Sequence, residues 1–190
     1  MSTIDADANV LGALALILTD RMEQSVEEAA GGHSMTAAVA LSALQHFLDR
    51  PTVDELRRVL GLTSSGAVRL VDRLAAAGLV TRGPGSDGRT RSITLTAKGR
   101  RAAARISEAR ATVLASALAE LTPSERQTLA RLTGRMLGAM VRMKLTAGPD
   151  TGAWTCRLCD INACGRPQGR CPAANAAAAA IGERTPGGVI

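Results

Sequence analysis

Apolar residues near the start of the chain fall at Val10, Leu11, Leu14, Ile17, Leu18, Met22 and Val26. Steps of three and four predict one long helix from Ile4 to Ala30. Gly31-Gly32 ends it, Ser34 is placed as an N-cap, and Met35 to Leu48 supplies a second helix before Pro51. Thr52-Val53-Asp54-Glu55 has the form of a capping box, in which Thr52 and Glu55 satisfy each other's backbone N–H groups. The short third helix that follows turns Val53, Leu56 and Leu60 inward, and Gly61 stops it in the left-handed conformation. Only Gly61 and Leu62 precede the next start at Thr63. That fourth helix carries Ala67, Leu70, Val71 and Leu74 on one side, with Ser65, Arg69, Asp72 and Arg73 elsewhere on its circumference, and Gly78 caps it. Two strands are expected near Leu79–Arg82 and Arg91–Leu95, where Ile93 and Leu95 alternate with Ser92 and Thr94. The loop between them, Gly83 to Thr90, is Gly-rich and contains Asp87-Gly88.

Thr96 opens a long helix with Ile106, Val113, Leu114, Leu118 and Leu121 as inward candidates. Thr122-Pro123-Ser124-Glu125 joins a capping box to a proline at the first helical position, so a further helix runs through Leu129, Leu132, Met136, Leu137, Met140 and Val141. Two short helices, a tight turn and a basic hairpin make a winged helix-turn-helix. The fold expected is therefore mainly α with a small β-wing, a DNA-reading domain over residues 51–100 flanked by helices from residues 1–50 and 101–146 whose wide apolar faces suit a dimerisation domain, with a monomeric helical core as the alternative. A four-cysteine metal-binding segment occupies 153–172, and an Ala-rich tail, 173–190, is expected to be partly disordered.

Charge sharpens this division. Residues 1–50 carry 2 basic and 7 acidic side chains, whereas residues 51–100 carry 9 and 4, within a net charge of +6 for the whole chain. The excess begins where the helix-turn-helix begins, and a localised basic stretch points to a polyanion. Phe47 and Trp154 are the only aromatic residues, so aromatic platforms for stacking single-stranded bases are not expected. Many ribosomal and membrane-surface proteins share this charge, and it is the helix spacing with the hairpin that points to double-stranded DNA.

In such a module the second helix enters the major groove, its first turns against base edges and its N-terminal amides and hydroxyls against phosphate. Thr63, Ser64 and Ser65 are short donors at that end. Arg69 lies one turn on, within reach of a phosphate or a guanine edge, and Arg73 follows it. Arg82, Arg89 and Arg91 flank the hairpin tip, where an arginine suits a narrow minor groove.

Val71-Asp72-Arg73-Leu74, Gly78-Leu79-Val80 with Arg82, and Asp87-Gly88-Arg89 followed by Leu95-Thr96 and Gly99 together give the run from Leu56 to Arg105 a specific pattern. It resembles the MarR family of bacterial regulators. The flanking helices match that family in order rather than in motif, so the resemblance extends over about Ile4 to Lys144. It implies an obligate two-fold dimer built from the first and last two helices, bound to a near-palindromic operator and usually repressing. It also implies DNA contacts from Ser64, Ser65 and Arg69 in the recognition helix and from Arg89 in the wing; Val68 stands where relatives often carry a polar residue. The family's usual sensors, a pocket for small aromatic acids or a cysteine near the N-terminus, are not suggested: no cysteine precedes Cys156 and there is no tyrosine.

All four cysteines fall in one stretch, Cys156, Cys159, Cys164 and Cys171, spaced C-x2-C-x4-C-x6-C with Pro172 after the last. His33 and His46 lie far upstream and read as helix-face residues. Four soft thiolates at this density are metal ligands in a reducing compartment, with Arg157, Arg166 and Arg170 offsetting their charge. Structural zinc sites often show two C-x2-C knuckles, whereas one knuckle and two single cysteines look more like an iron–sulfur run. The segment resembles the carboxy-terminal cluster of redox-sensing MerR-type regulators, with different loop lengths. An iron–sulfur cluster is thus favoured over zinc, and its oxidation or loss is expected to shift the dimer helices and the spacing of the recognition helices. A zinc staple, or a thiol pair at Cys156 and Cys159, is the alternative.

No catalytic constellation of Ser, His and Asp or phosphate-cradling loop is present, so no enzyme is expected. A reading from another class is an electron-transfer or thiol-redox protein whose helix-turn-helix serves only as scaffold. The acidic start MSTIDADANV does not resemble a secretory signal, and the apolar run Val10 to Leu18 is too short for a membrane span. A cytoplasmic protein is expected.

Overall fold

The computed structural model describes residues 5–85, 91–147 and 154–182. In chain order the elements are α1 (Ala6–Ala29), α2 (Met35–His46), α3 (Val53–Leu60), α4 (Ser64–Ala76), β1 (Val80–Pro84), β2 (Arg91–Leu95), α5 (Ala97–Ala117), α6 (Pro123–Thr146) and α7 (Pro172–Gly182), with a short 3-10 turn at Arg166–Gln168 before α7.

Short-range capping sets most of the boundaries. Thr52 and Glu55 make the full capping box at the head of α3, and Thr122 and Glu125 repeat it at α6 with Pro123 in the first turn. At the ends of α3 and α4 the chain turns through a left-handed glycine, Gly61 (φ 66°) and Gly78 (φ 69°). The Leu62 and Leu79 amides then donate back to the carbonyls of Arg57 and Leu74, closing two Schellman motifs. The expected cap at α2 is different: Ser34 makes no side-chain bond to the helix, and Glu27 of α1 accepts from the Met35 amide at 2.6 Å instead. A cap supplied from eight residues upstream ties α1 to α2, which a local motif cannot reveal.

The core centres on α2, whose residues from Ala37 to Leu44 are all buried. Its alanines let neighbouring helices approach closely, and the space is filled by aliphatic residues from every side, chiefly Val26, Leu56, Leu70, Leu74, Ile93 and Ile106. The wing is a two-stranded antiparallel ribbon with Val80 opposite Leu95 and Arg82 opposite Ile93. It is anchored to the helix-turn-helix, since the Ile93 amide donates to the Pro51 carbonyl and Thr52 bridges Ser92. Strand β1 begins at Val80 and reaches Pro84, slightly later than expected.

Two differences lie toward the C-terminus. Helix α5 stops at Ala117, so Leu118 becomes its cap and Leu121 falls in the connection to α6. The Ala-rich segment expected to be partly disordered forms α7 over Pro172–Gly182; alanine is the strongest helix former and Pro172 sets the first turn. The last residues, 183–190, lie outside the described ones. Helix α7 seats on α6 where Gly134 and Gly138 open its surface: a Cβ on Gly134 would stand 3.2 Å from Pro172 Cγ, and one on Gly138 would stand 3.6 Å from Ala176 Cβ. No helix among the described residues is long and apolar enough to cross a membrane.

Candidate nucleic-acid interface and cysteine cluster

Helix α4 buries Ala67, Leu70, Val71 and Leu74 against the core. Ser64, Ser65, Val68, Arg69, Asp72 and Arg73 consequently face outward. At its head Thr63 is the N-cap, its hydroxyl accepting from the Gly66 amide at 3.2 Å. The Thr63 hydroxyl is therefore committed to the helix, whereas Ser64 and Ser65 are exposed at the positive end of the helix dipole. Val68 is 45% exposed beside Ser65 and Arg69. An apolar side chain in that position has a natural partner in a thymine methyl group.

The wing stands beside α4 and is bonded to it. Arg82 of β1 donates to Asp72 of α4 at 2.6 Å, so this arginine positions the hairpin against the recognition helix. Arg91 is exposed at the start of β2, and Arg73 is exposed on the last turns of α4. The expected wing-tip contact, Arg89, lies outside the described residues. Arg50, which sequence patterning passes over, sits at φ 48° before Pro51 and donates to the Pro84 carbonyl at 3.2 Å, holding the far end of β1. Thr81 and Thr94 share a hydrogen bond of 2.9 Å across the ribbon, and the buried Ser92 hydroxyl donates to Pro84. The wing is thus braced against the helix-turn-helix, with Arg91 exposed at the start of β2.

The cysteine segment docks at the end of α3. The Trp154 amide donates at 2.8 Å to the Val59 carbonyl, one of the carbonyls left without a helical partner at the end of α3. Leu158 packs onto the main core. Asp160 comes to 3.9 Å from Nδ1 of His46, whose Nε2 bonds Ser107 of α5 at 3.1 Å. Past the left-handed Gly165 and Gly169, Cys171 is buried at the root of α7.

All four cysteines are free thiols. Cys171, Ala173, Ala176 and Val141 of α6 form a small apolar cluster, against which Cys156 and Cys164 pack. Cys156 and Cys159 hydrogen-bond to each other across a turn closed by the Cys159 amide on the Cys156 carbonyl (2.8 Å). That bond from the Cys156 thiol pulls Cys159 down to about 6 against its desolvation, with help from Arg110 of α5. The same bond, then burial and the neighbouring Cys159 and Cys171, drive Cys156 far upward. Among the described residues no group of three or more His, Cys, Asp or Glu side chains stands ready to hold a metal ion. The four thiols are nonetheless uniformly soft donors, with Arg166 acting on Cys156 and Arg110 on Cys159.

Residues 32–90, from the approach to α2 to the wing loop, match the MarR family. The chain superimposes on RV1404 from Mycobacterium tuberculosis with a TM-score of 0.61 and 25% identity, over 72% of this chain and 95% of that one. A MarR family protein from Bacillus stearothermophilus gives 0.61 and 26%, over 73% and 99%. A mutant of MepR from Staphylococcus aureus bound to an oligodeoxyribonucleotide gives 0.55 at 16% identity, over 72% and 99%, a likeness of fold alone. Each of these chains is matched almost in full, while part of this one extends beyond them. No curated protein matches the sequence.

Proposed function

Proceeding from its MarR-family winged helix, we propose that this chain is a dimeric transcriptional repressor that binds a near-palindromic operator in double-stranded DNA. It is a regulator and not an enzyme. The observation that carries the reading is the division of α4: one side is wholly committed to the core, and the other offers Ser64, Ser65, Val68 and Arg69 beside a wing braced to it by Arg82. A helix so presented reads base edges with Arg69 and Val68 and takes phosphate at its head through Ser64 and Ser65. Arg73, Arg91 and Arg89 add contacts to the backbone or minor groove. The structural likeness to a MepR mutant bound to an oligodeoxyribonucleotide supports the same use of the fold.

Dimerisation is supported by what the chain leaves uncovered. Val10, Leu14 and Ile17 of α1 and Leu132, Met136, Met140 and Met143 of α6 are all more than 40% exposed. Two apolar helix faces of this extent require a partner, and a two-fold copy supplies both at once. The cysteine cluster completes the reading as the sensor, holding an iron–sulfur cluster in preference to zinc at Cys156, Cys159, Cys164 and Cys171. Selection of duplexes from a random pool by the full-length protein tests the proposal. It should enrich a two-fold symmetric site with half-sites about one helical turn apart. Enrichment of single half-sites, or of nothing, would contradict it.

A further inference from the structure

The cysteine segment touches two bodies that the rest of the chain leaves loosely joined. Its beginning is attached to the reading domain: the Trp154 amide occupies the Val59 carbonyl of α3, Leu158 enters the main core, and Asp160 faces His46 at the end of α2. Helix α3 in turn leads through the Gly61 turn directly into α4. Its end is attached to α6, where Pro172 and Ala176 rest in the groove opened by Gly134 and Gly138 and where Cys171 meets Val141. Cys159 lies near Arg110 of α5 and Cys171 belongs to the second end, while Cys156 and Cys164 pack against the Cys171–Val141 cluster. The attachments at the first end include one backbone hydrogen bond, one apolar side chain and a 3.9 Å approach of Asp160 to His46, each weak alone.

We infer that the four thiolates close around a single thiophilic centre, an iron–sulfur cluster or one Zn(II), and that this centre works as a clamp fixing the reading domain to dimer helix α6. Binding draws the protons from the thiols and replaces a thiol–thiol hydrogen bond and apolar packing with four bonds to one point. The two ends of the segment then move as one body, so α3 and α4 are held at a set angle to α6. In a two-fold dimer that angle sets the separation of the two recognition helices, and with it the fit to paired half-sites. This inference rests on the reading of the cysteines as a metal centre. It adds a route from that centre to the DNA.

The chain carries its own reporter, because Trp154 is the only tryptophan, no tyrosine is present, and the residue stands two positions from Cys156. The experiment uses full-length protein prepared without oxygen and compares thiol-reduced apo protein with protein loaded either with zinc alone or with iron and sulfide. Three quantities are read: metal and sulfide per chain, Trp154 emission, and affinity for the selected duplex. One centre per chain, a shifted Trp154 emission and a change in duplex affinity of about tenfold are expected on loading. Iron and sulfide with visible absorption identify the cluster, and a colourless chain holding one zinc identifies the ion. Cys171→Ser should lose stoichiometric loading. Gly134→Val, which crowds Pro172 without touching a cysteine, should still load but no longer transmit loading to the duplex. Circular dichroism on both variants checks that the helices are intact. If reduced protein takes up neither metal, or yields only a Cys156–Cys159 disulfide, the metal centre is wrong and the clamp falls with it. If one centre binds but apo and loaded proteins hold the duplex equally, the centre stands and the clamp alone is overturned.

Discussion

Gly99 shows how little room single positions leave in the reading domain. It lies in the first turn of α5, where a Cβ would stand 1.9 Å from the Leu79 carbonyl oxygen, a backbone atom that cannot move aside. That carbonyl already accepts from the Thr96 amide, and the Gly78 carbonyl beside it takes the Thr96 hydroxyl. The start of the wing and the start of α5 are thus pinned together through glycine. Gly99→Ala should destabilise the chain by at least about 3 kcal/mol, seen as a fall in the denaturant midpoint. The control is Gly12→Ala, where nothing lies within 4 Å of the added carbon and helix propensity favours alanine, so stability should hold or rise. The motif that contains Gly99 was visible in the sequence, but its physical reason was not: a close backbone approach involves residues 20 positions apart.

Among the elements, capping was the most legible feature, because its partners sit three or four residues apart. Thr52 and Glu55 were identifiable as a pair, and both reciprocal bonds are present. Their chemistry gives α3 a pH dependence. The Thr52 amide and hydroxyl hold Glu55 below its ordinary pKa of 4.5, so its contribution is full above that value and is lost as pH falls through the lowered folded-state pKa. Glu55→Gln should therefore flatten the acid side of a plot of Tm against pH while changing its slope little near neutrality. The less legible elements depend on distant partners. Ser34 stands at the N-cap of α2 but its side chain makes no capping bond, since Glu27 arrives from α1. Residues 173–182 looked like tail because an alanine run has no amphipathic period; the groove at Gly134 and Gly138 that receives it lies on another helix. Arg82 looked like a free DNA contact and is bridged to Asp72, which makes it a brace for the wing.

At the scale of the whole molecule, hydrophobic patterning marked α1 and α6 as buried-type helices, and in a single chain their outer faces are bare. That mismatch between pattern and burial is what a second copy resolves. Leu14→Glu combined with Ile17→Glu places charge in the expected seam and leaves the core residue Val26 untouched. It should convert dimer to monomer in sedimentation equilibrium and weaken binding to the paired site far more than to a single half-site. The division of charge follows the same plan, acidic over residues 1–50 and basic from residue 51 onward. The cysteine segment belongs to this scale as well, since its meaning comes from touching α3 at one end and α6 at the other.

The central claim, that α4 reads DNA, is tested most directly by titrating the selected duplex with wild type, Ser65→Ala and Arg69→Ala over a series of salt concentrations. The account predicts that Arg69→Ala loses about 1–3 kcal/mol of binding and that each substitution lowers the salt slope or the preference for the selected site over a scrambled one. Unchanged affinity, slope and preference in both variants, with the helices intact by circular dichroism, would contradict it.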